Sequence, residues 1–461
     1  MSTSATTTDG VLAGAFDPAA VERFRYLGYS FDRATGVLSC EYALDELAFT
    51  ELITFGPPAA DVDEATFERA LWLVYLLAGI SYYKAAAPPV IDVEVQGLTP
   101  AERALLEAFY LDGLGEYAFR NDLDLSGLSI VAADRAPEPR TAPTRPHRAL
   151  IPFGGGLDSI VTVEGVRDAV PDSALFVVSQ GVRFDAIETA AAVTGLPVVR
   201  AERRLDDKVL RSRELGFRNG HVPVTGIISA IAVAAAVRDG RDAVVMSNEW
   251  SASSGNTVKD GRSVNHQWSK SLAFEDLFRA ALDEALPTPF DYFSWLRPFS
   301  ELWVADRFAG LGGYHRAFRS CNRAFHIDRT QRLDHWCGRC DKCCFIDLIL
   351  APFLDRSELV AVFDGREPLT DRSLIDSFRA LLDLSGEIKP FECVGDVDEC
   401  RVAVLLAAAR DDRAEDALLQ ELADEVRPVV GGDGRAPGET LLRPLGAHRI
   451  PERYAPDDLL G

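Results

Sequence analysis

Apolar and polar positions alternate along the chain in two rhythms. From Phe31 to Phe55 the period is about two, and Arg33-Ala34-Thr35-Gly36 interrupts it as a turn, which predicts a hairpin. From Asp63 to Tyr83 the spacing becomes helical, with Leu71, Val74, Tyr75 and Ala78 on one face. Val90 to Val95 reads as a strand. Thr99 then caps a helix opened by Pro100 and running to about Asp112. Beyond residue 148 strand and helix patterns take turns. Ala149–Phe153, Leu175–Ser179, Val198–Glu202 and Ala243–Ser247 read as strands; the segment to Val170, Phe184–Thr194 and Val224–Arg238 read as helices. That alternation predicts an α/β fold with a doubly wound parallel sheet. An N-terminal α+β module precedes it. A helical C-terminal extension follows it, with helices expected over 341–354, 369–384, 396–409 and 415–426, and a Pro- and Gly-rich tail lying over the surface.

The stretch Arg135 to Pro146, RAPEPRTAPTRP, is a semi-rigid linker. It divides the chain into 1–145, the N-terminal module with its linker, and 146–461, the sheet domain with its extension. Residues 1–15 are small, polar and without periodicity, and are expected to be disordered.

Composition narrows the function. Apolar residues make up 47% and charged residues 26%, as in a soluble globular protein. The net charge of −23 argues against a broad nucleic-acid surface. The longest apolar stretch, Ala70 to Ile80, is too short to span a bilayer, and the N-terminus does not read as a signal peptide, so a cytoplasmic enzyme is expected.

The most informative stretch is Gly154-Gly155-Gly156-Leu157-Asp158-Ser159, between an apolar run and an amphipathic helix. Glycines let the backbone approach an anion, and the N–H groups of the first helical turn point at it. Ser159 adds a hydroxyl. Asp158 repels phosphate and is expected to hold magnesium or to orient the loop. Neither common nucleotide loop fits, because no Lys follows and the dinucleotide glycine spacing is only approximate. The stretch resembles the pyrophosphate loop of the ATP-pyrophosphatase superfamily, Ser-Gly-Gly-x-Asp-Ser, with Gly154 in place of the first Ser. ATP and magnesium are the expected cofactors.

Polar clusters follow the predicted strand ends, where open α/β sheets bind ligands. Ser179 follows one strand and Arg203-Arg204 another. Asn248 to Thr257 forms a polar loop containing Glu249. Arg200, Arg203, Arg204, Arg211, Arg213 and Arg218 lie close together, with Lys208 among them. In an acidic chain they suit a small polyanion better than RNA, or else an exposed face paired with Glu202, Asp206, Asp207 and Glu214.

Eight cysteines in a long chain expected in the cytosol argue for metal before disulfides. Cys337, Cys340 and Cys343 have the spacing for one tetrahedral ion, and Cys321 would complete four thiolates around a structural zinc. His335 or His326 could replace one thiolate, and Cys344 is a spare. An iron–sulfur cluster is less expected, since nothing at the sheet evidently needs electron transfer.

The whole layout resembles the MurL family of ATP-dependent epimerases in peptidoglycan precursor synthesis, within the pyrophosphate-loop, adenine-nucleotide-α-hydrolase-like superfamily. The resemblance rests on GLGEYAFRND, PFGGGLDS, SNEWSASSGN, WCGRCDKC and PFECVGDVDE. It implies inversion of the terminal L-glutamate of UDP-MurNAc-L-Ala-L-Glu through a carboxyl-adenylate, with AMP and pyrophosphate released. On that reading Gly154, Gly155, Gly156, Asp158, Ser159 and Ser179 take ATP, and Arg203, Arg204 and Arg218 take the nucleotide-sugar peptide. His221, Glu249 and His266 are the acid–base candidates at the α-carbon. The runner-up is 7-cyano-7-deazaguanine synthase, which also pairs a pyrophosphate loop with a late cysteine cluster but lacks a large N-terminal module. A non-catalytic nucleotide sensor, which would bind ATP without releasing pyrophosphate, is the reading from another class.

Overall fold

The computed structural model describes residues 16–60, 62–141, 147–259, 261–326, 329–384, 386, 394–456 and 459. The N-terminal segment 1–15, the second part of the linker (142–146) and residues 390–393 of the PFECVGDVDE stretch lie outside the described residues.

The fold is mixed α/β, built on one large, mostly parallel sheet. Its strands are β1 (Arg23–Asp32), β2 (Val37–Leu44), β3 (Leu47–Phe55), β4 (Val90–Leu98), β5 (Ser129–Asp134), β6 (Ala149–Pro152), β7 (Ser173–Ser179), β8 (Val198–Arg204) and β9 (Ala243–Met246). A separate hairpin, β10 (Thr257–Lys259) and β11 (Arg262–Val264), precedes the last sheet strand, β12 (Asp291–Ser294). The spatial order is β12-β9-β6-β7-β8-β3-β2-β1-β4-β5. From β6 the chain steps outward through β7 and β8, then returns to the other side of β6 for β9 and β12, all in parallel register.

The expected hairpin is part of a three-stranded meander, β1-β2-β3, with its first turn at residues 33–36. The meander joins the parallel strands through antiparallel β3–β8 pairing, Leu52 opposite Arg204 and Phe55 opposite Ala201. The N-terminal strands and the sheet after the linker are therefore one continuous surface.

Side chains alternate across the sheet and feed two cores. Ala149 and Ile151 of β6 face one, Leu150 the other. Against the first pack the helices Leu157–Val166, Glu301–Ala309, Asp341–Leu350, Val397–Ala408 and Ala417–Val430. Against the second pack Glu64–Ala78, Pro100–Leu111, Leu272–Ala285 and Val224–Arg238, whose Ala-rich sequence is buried almost all round. Pro100–Leu111 begins with the predicted cap: Glu102 N–H donates to Thr99 Oγ1 at 3.2 Å, and Thr99 N–H donates to Glu102 Oε2 at 2.9 Å.

Two C-terminal expectations change. The helix expected over 369–384 is two single turns and a short helix, Ile375–Leu381. The tail does not simply lie over the surface. Tyr454 is buried and its carbonyl accepts from Trp295 Nε1 at 2.8 Å, while Arg449 pairs with Asp276. Among the described residues, no helix is long and apolar enough to cross a membrane.

Candidate active site

The glycine loop leaves β6 at the reversal of strand order and opens the helix Leu157–Val166. Gly155 sits at φ +75°, and a Cβ there would lie 3.1 Å from Ala186 O and 3.2 Å from Ile187 Cα, so the position requires glycine. Gly156 caps the helix in extended backbone, and a Cβ on it would meet Ser320 Oγ at 2.8 Å. Gly154 has open space around it. Ser159 turns its hydroxyl back onto Gly156 O at 3.0 Å, and Ser179 is half-buried at the end of β7.

Carboxylates gather beside the loop. Asp158 Oδ1, in the first helical turn, is buried with no hydrogen-bond partner among the described residues. Burial, then the charge of Glu249, push its pKa up to about 6, against the pull of Lys342 and Lys270. Glu301 begins the helix after β12, and burial followed by Asp158 and Glu249 drives its carboxyl far upward. Glu399 comes from the first turn of Val397–Ala408 and is pushed up to about 8 by burial, then by Asp396 and Glu249. Glu301 Oε2 and Glu399 Oε1 are also buried without partners. The three carboxyls do not converge as one ligand set, and the Asp158 oxygen at the loop suits a magnesium ion, which takes one or two carboxylates and completes its shell with water and phosphate.

Glu249 follows β9 and is held by its backbone. Arg297, 1% exposed, donates to the carbonyls of Glu249 at 2.9 Å and Lys270 at 2.5 Å while its Nε meets Glu275 at 3.0 Å. One buried guanidinium thus fixes both the loop after β9 and the segment that follows His266. Ser294, at the end of β12, accepts from Asn248 N–H at 2.6 Å and donates to Asn248 O at 2.7 Å.

The two histidines expected to flank the site do come together, but around a carboxylate from the N-terminal half. His266 Nδ1 lies 2.5 Å from Glu116 Oε2, His221 Nδ1 lies 4.0 Å from the same oxygen, and the two rings are 4.1 Å apart. Glu249 is not part of that group.

The arginines separate. Arg203 is buried and its guanidinium is engaged by Glu51 at 2.6 Å and Ser81 Oγ at 2.8 Å. Arg218 binds the carbonyl of Ala86 through its side chain. Arg204 is exposed at the end of β8.

The four cysteines converge. The Sγ atoms of Cys321, Cys337, Cys340 and Cys343 all lie within 4.8 Å of one another, with Cys340 to Cys343 at 3.4 Å and Cys337 to Cys343 at 3.6 Å. Backbone N–H groups of Cys337 and Arg339 donate to Cys321 Sγ and Cys337 Sγ, both at 3.4 Å, the kind of contact that stabilises thiolate charge. Gly338 stands at φ +66° between them. Four thiols in this arrangement suit zinc. His335 instead pairs with Asp334 at 2.7 Å, and Cys344 is buried within its helix. Just before Cys321, Arg319 N–H donates to Gly155 O at 3.2 Å, so the cysteine segment abuts the glycine loop.

Glu301, Arg297, Glu116 and Glu399 are not among the site residues the sequence marks. Glu116 and Glu399 nevertheless fall inside GLGEYAFRND and PFECVGDVDE. For Glu301 and Arg297 no sequence signal pointed to the site; their burial identifies them.

The MurL N-terminal domain family matches residues 15–295, and the MurL C-terminal domain family matches residues 317–435. Three curated relatives are each named UDP-N-acetyl-alpha-D-muramoyl-L-alanyl-L-glutamate epimerase. The protein of Xanthomonas oryzae pv. oryzae is 39% identical over 95% of this chain and 97% of its own length. That of Micromonospora is 41% identical over 94% and 97%, and that of Salinispora tropica 40% over 96% and 96%. With both halves matched and near-complete coverage at this identity, the chain belongs to the MurL family of epimerases.

Proposed function

We propose that this protein inverts the terminal L-glutamate of UDP-MurNAc-L-Ala-L-Glu to D-glutamate, after activating its carboxylate with ATP. The substrate follows from the relatives' names. The observation that carries the ATP step is the buried Asp158 Oδ1, without a hydrogen-bond partner among the described residues, at the head of the glycine-loop helix.

The backbone N–H groups after Gly155 receive the β- and γ-phosphates. Bound magnesium would supply charge neutralisation between those phosphates and Asp158. A carboxylate oxygen of the terminal glutamate attacks the α-phosphorus; an O–P bond forms, the bond to the β-phosphate oxygen breaks, and pyrophosphate leaves. The acyl-adenylate no longer carries the carboxylate charge, so its α-hydrogen becomes acidic. A base among His221, His266 and Glu249 takes that proton, and a proton is returned to the other face. Water then cleaves the mixed anhydride to AMP and the D-glutamyl product. Arg204, exposed at the end of β8, is the arginine we assign to the substrate's anionic groups; Arg203 and Arg218 hold protein partners.

The test is incubation with ATP, magnesium and the precursor in deuterated water. The expected products are AMP, pyrophosphate and D-glutamate carrying deuterium at the α-carbon. Conversion of ATP to ADP, or inversion at full rate without nucleotide, would sink the reading.

A further inference from the structure

We propose that Glu116 is a positioning residue for the inversion step, and that Glu116, His266 and His221 act as a single proton-handling unit on one face of the α-carbon. This rests on the epimerase reading above. It also gives the N-terminal half of the chain a place at the reacting centre.

The three residues come from distant segments. Glu116 lies in the helix Gly115–Arg120, His221 in the turn before Val224–Arg238, and His266 just after β11. Glu116 is 4% exposed and both its oxygens are engaged: Oε1 accepts from Arg120 Nε at 2.6 Å, and Oε2 faces His266 Nδ1 at 2.5 Å. A carboxylate at that nitrogen fixes the hydrogen on Nδ1. Any proton His266 exchanges with the substrate then passes through Nε2. Burial raises the Glu116 carboxyl, but the hydrogen bonds from His266 and Arg120, with the charge on the histidine side, outweigh it and hold Glu116 below its ordinary value.

His221 supplies the other half of the unit. Its ring centroid lies 4.1 Å from that of His266, with the planes tilted by 38°, and two imidazolium charges at that distance repel, so the two rings are not both protonated at once. Burial, then the charge of His266, push His221 down to about 4. His221 is therefore the neutral ring, and the Glu116 carboxylate lies against His266. The charged groups facing His221 are Glu116, His266 and Lys84, with Arg120 behind Glu116. Lys84 is held by Asn219 Oδ1 at 2.8 Å and Gly220 O at 3.2 Å.

Two histidines and a carboxylate with ligand atoms within 4.8 Å of one another would also suit a divalent transition metal. The surrounding charge argues against it. Arg120 occupies one side of the carboxylate and Lys84 faces His221, and both repel a cation.

The experiment compares the full-length wild type with Glu116→Gln and Glu116→Asp, reading three signals from each. These are ATP–pyrophosphate exchange in the presence of precursor, deuterium entry at the α-carbon, and the pH profile of inversion. Gln keeps the shape and loses the charge; Asp keeps the charge. The expected result for Glu116→Gln is pyrophosphate exchange within about twofold of wild type and deuterium entry reduced by about 100-fold or more. The pH profile of its inversion should also differ from that of wild type, because His266 loses the carboxylate beside Nδ1. Glu116→Asp should recover at least part of the deuterium entry. An unchanged rate and profile in Glu116→Gln would overturn the proposal. So would equal loss of exchange and inversion with no recovery in Asp, the pattern of a merely structural residue. Metal analysis finding a second tightly bound ion, lost in His266→Ala, would overturn it in favour of a metal site. A wild type that makes neither AMP nor D-glutamate would defeat the epimerase reading itself, which separates the two failures.

Discussion

Glu51 and Arg203 form a buried ion pair at the seam where β3 meets β8, with Oε1 to Nε at 2.6 Å and the two side chains 0% and 7% exposed. Ile53 stands opposite Arg203 in that register, so the pair lies on the joint between the N-terminal strands and the parallel sheet. Breaking a buried pair strands the remaining charge, at a cost of about 3–5 kcal/mol. Arg203→Ala should lower stability by about that amount in a denaturant titration. Glu51→Gln in the same chain should recover part of the loss, because it removes the stranded charge. A stable Arg203→Ala protein whose only defect is weaker substrate binding would return Arg203 to the role its sequence position suggested.

The glycine loop makes opposite demands at adjacent residues. At Gly155 a side chain meets Ala186 and Ile187 in a left-handed backbone, whereas Gly154 faces open space. Gly155→Ala should cost about 1–3 kcal/mol in strain and reduce ATP–pyrophosphate exchange sharply. Gly154→Ser, which places there the residue of the pyrophosphate-loop pattern the stretch resembles, should keep exchange near wild type. Comparable exchange in the two variants would show that the loop does not approach phosphate as described.

Stability should depend on pH through the carboxylates beside the loop. Glu399 titrates at about 8 in the folded protein against an ordinary value of 4.5, so between those values the folded state holds a proton that the unfolded state has lost. That contribution is fully present below pH 4.5 and is lost as pH rises through 8. His221, held down to about 4, acts with the opposite sign, but only below about pH 6.5. From about pH 6.5 to 8 the nucleotide-free protein should therefore lose melting temperature, and Glu399→Gln should flatten the slope. A melting temperature rising over that interval would contradict the buried carboxyl cluster.

The cysteine cluster should hold one zinc per chain. Cys340→Ser should lose the ion and much of the local order it supports, on the order of 10 kcal/mol of binding free energy in such sites. Cys344, fully buried in Asp341–Leu350, is not a ligand, so Cys344→Ala should keep the metal. Cys344→Ser should also keep it but melt lower, because it places a hydroxyl in an apolar core. Elemental analysis and a melting curve on each variant decide this. A stable, active wild type without metal would reject the site.

Local signals carried far in the sequence. Val224–Arg238 forms a helix over the residues its pattern marks, Thr99 and Glu102 make their capping box, and the glycine loop sits at a strand–helix junction. Cysteine spacing named the four thiols that the fold brings within 4.8 Å of one another. Long-range pairing left no such mark. β5 is largely exposed and lacks apolar alternation, and β12 has only four residues, so neither stood out. The β3–β8 joint depends on two edges meeting, which no local window contains. The arginines showed the same limit: adjacent positions on β8 point to opposite faces, so Arg203 is buried against Glu51 while Arg204 is exposed. His221 and His266 were visible as residue types, but not the carboxylate they share.

The continuous sheet bears on how the chain can be divided. The proline-rich stretch invites a cut, yet each resulting fragment would carry half of a hydrogen-bonded ladder. The first would expose β3 and the second β8, each a bare edge strand beside apolar side chains. Such edges recruit other strands and drive aggregation. Expressed apart, the pieces should be insoluble; produced together, they should reassemble as a split protein, with the β3–β8 edge as the docking strip.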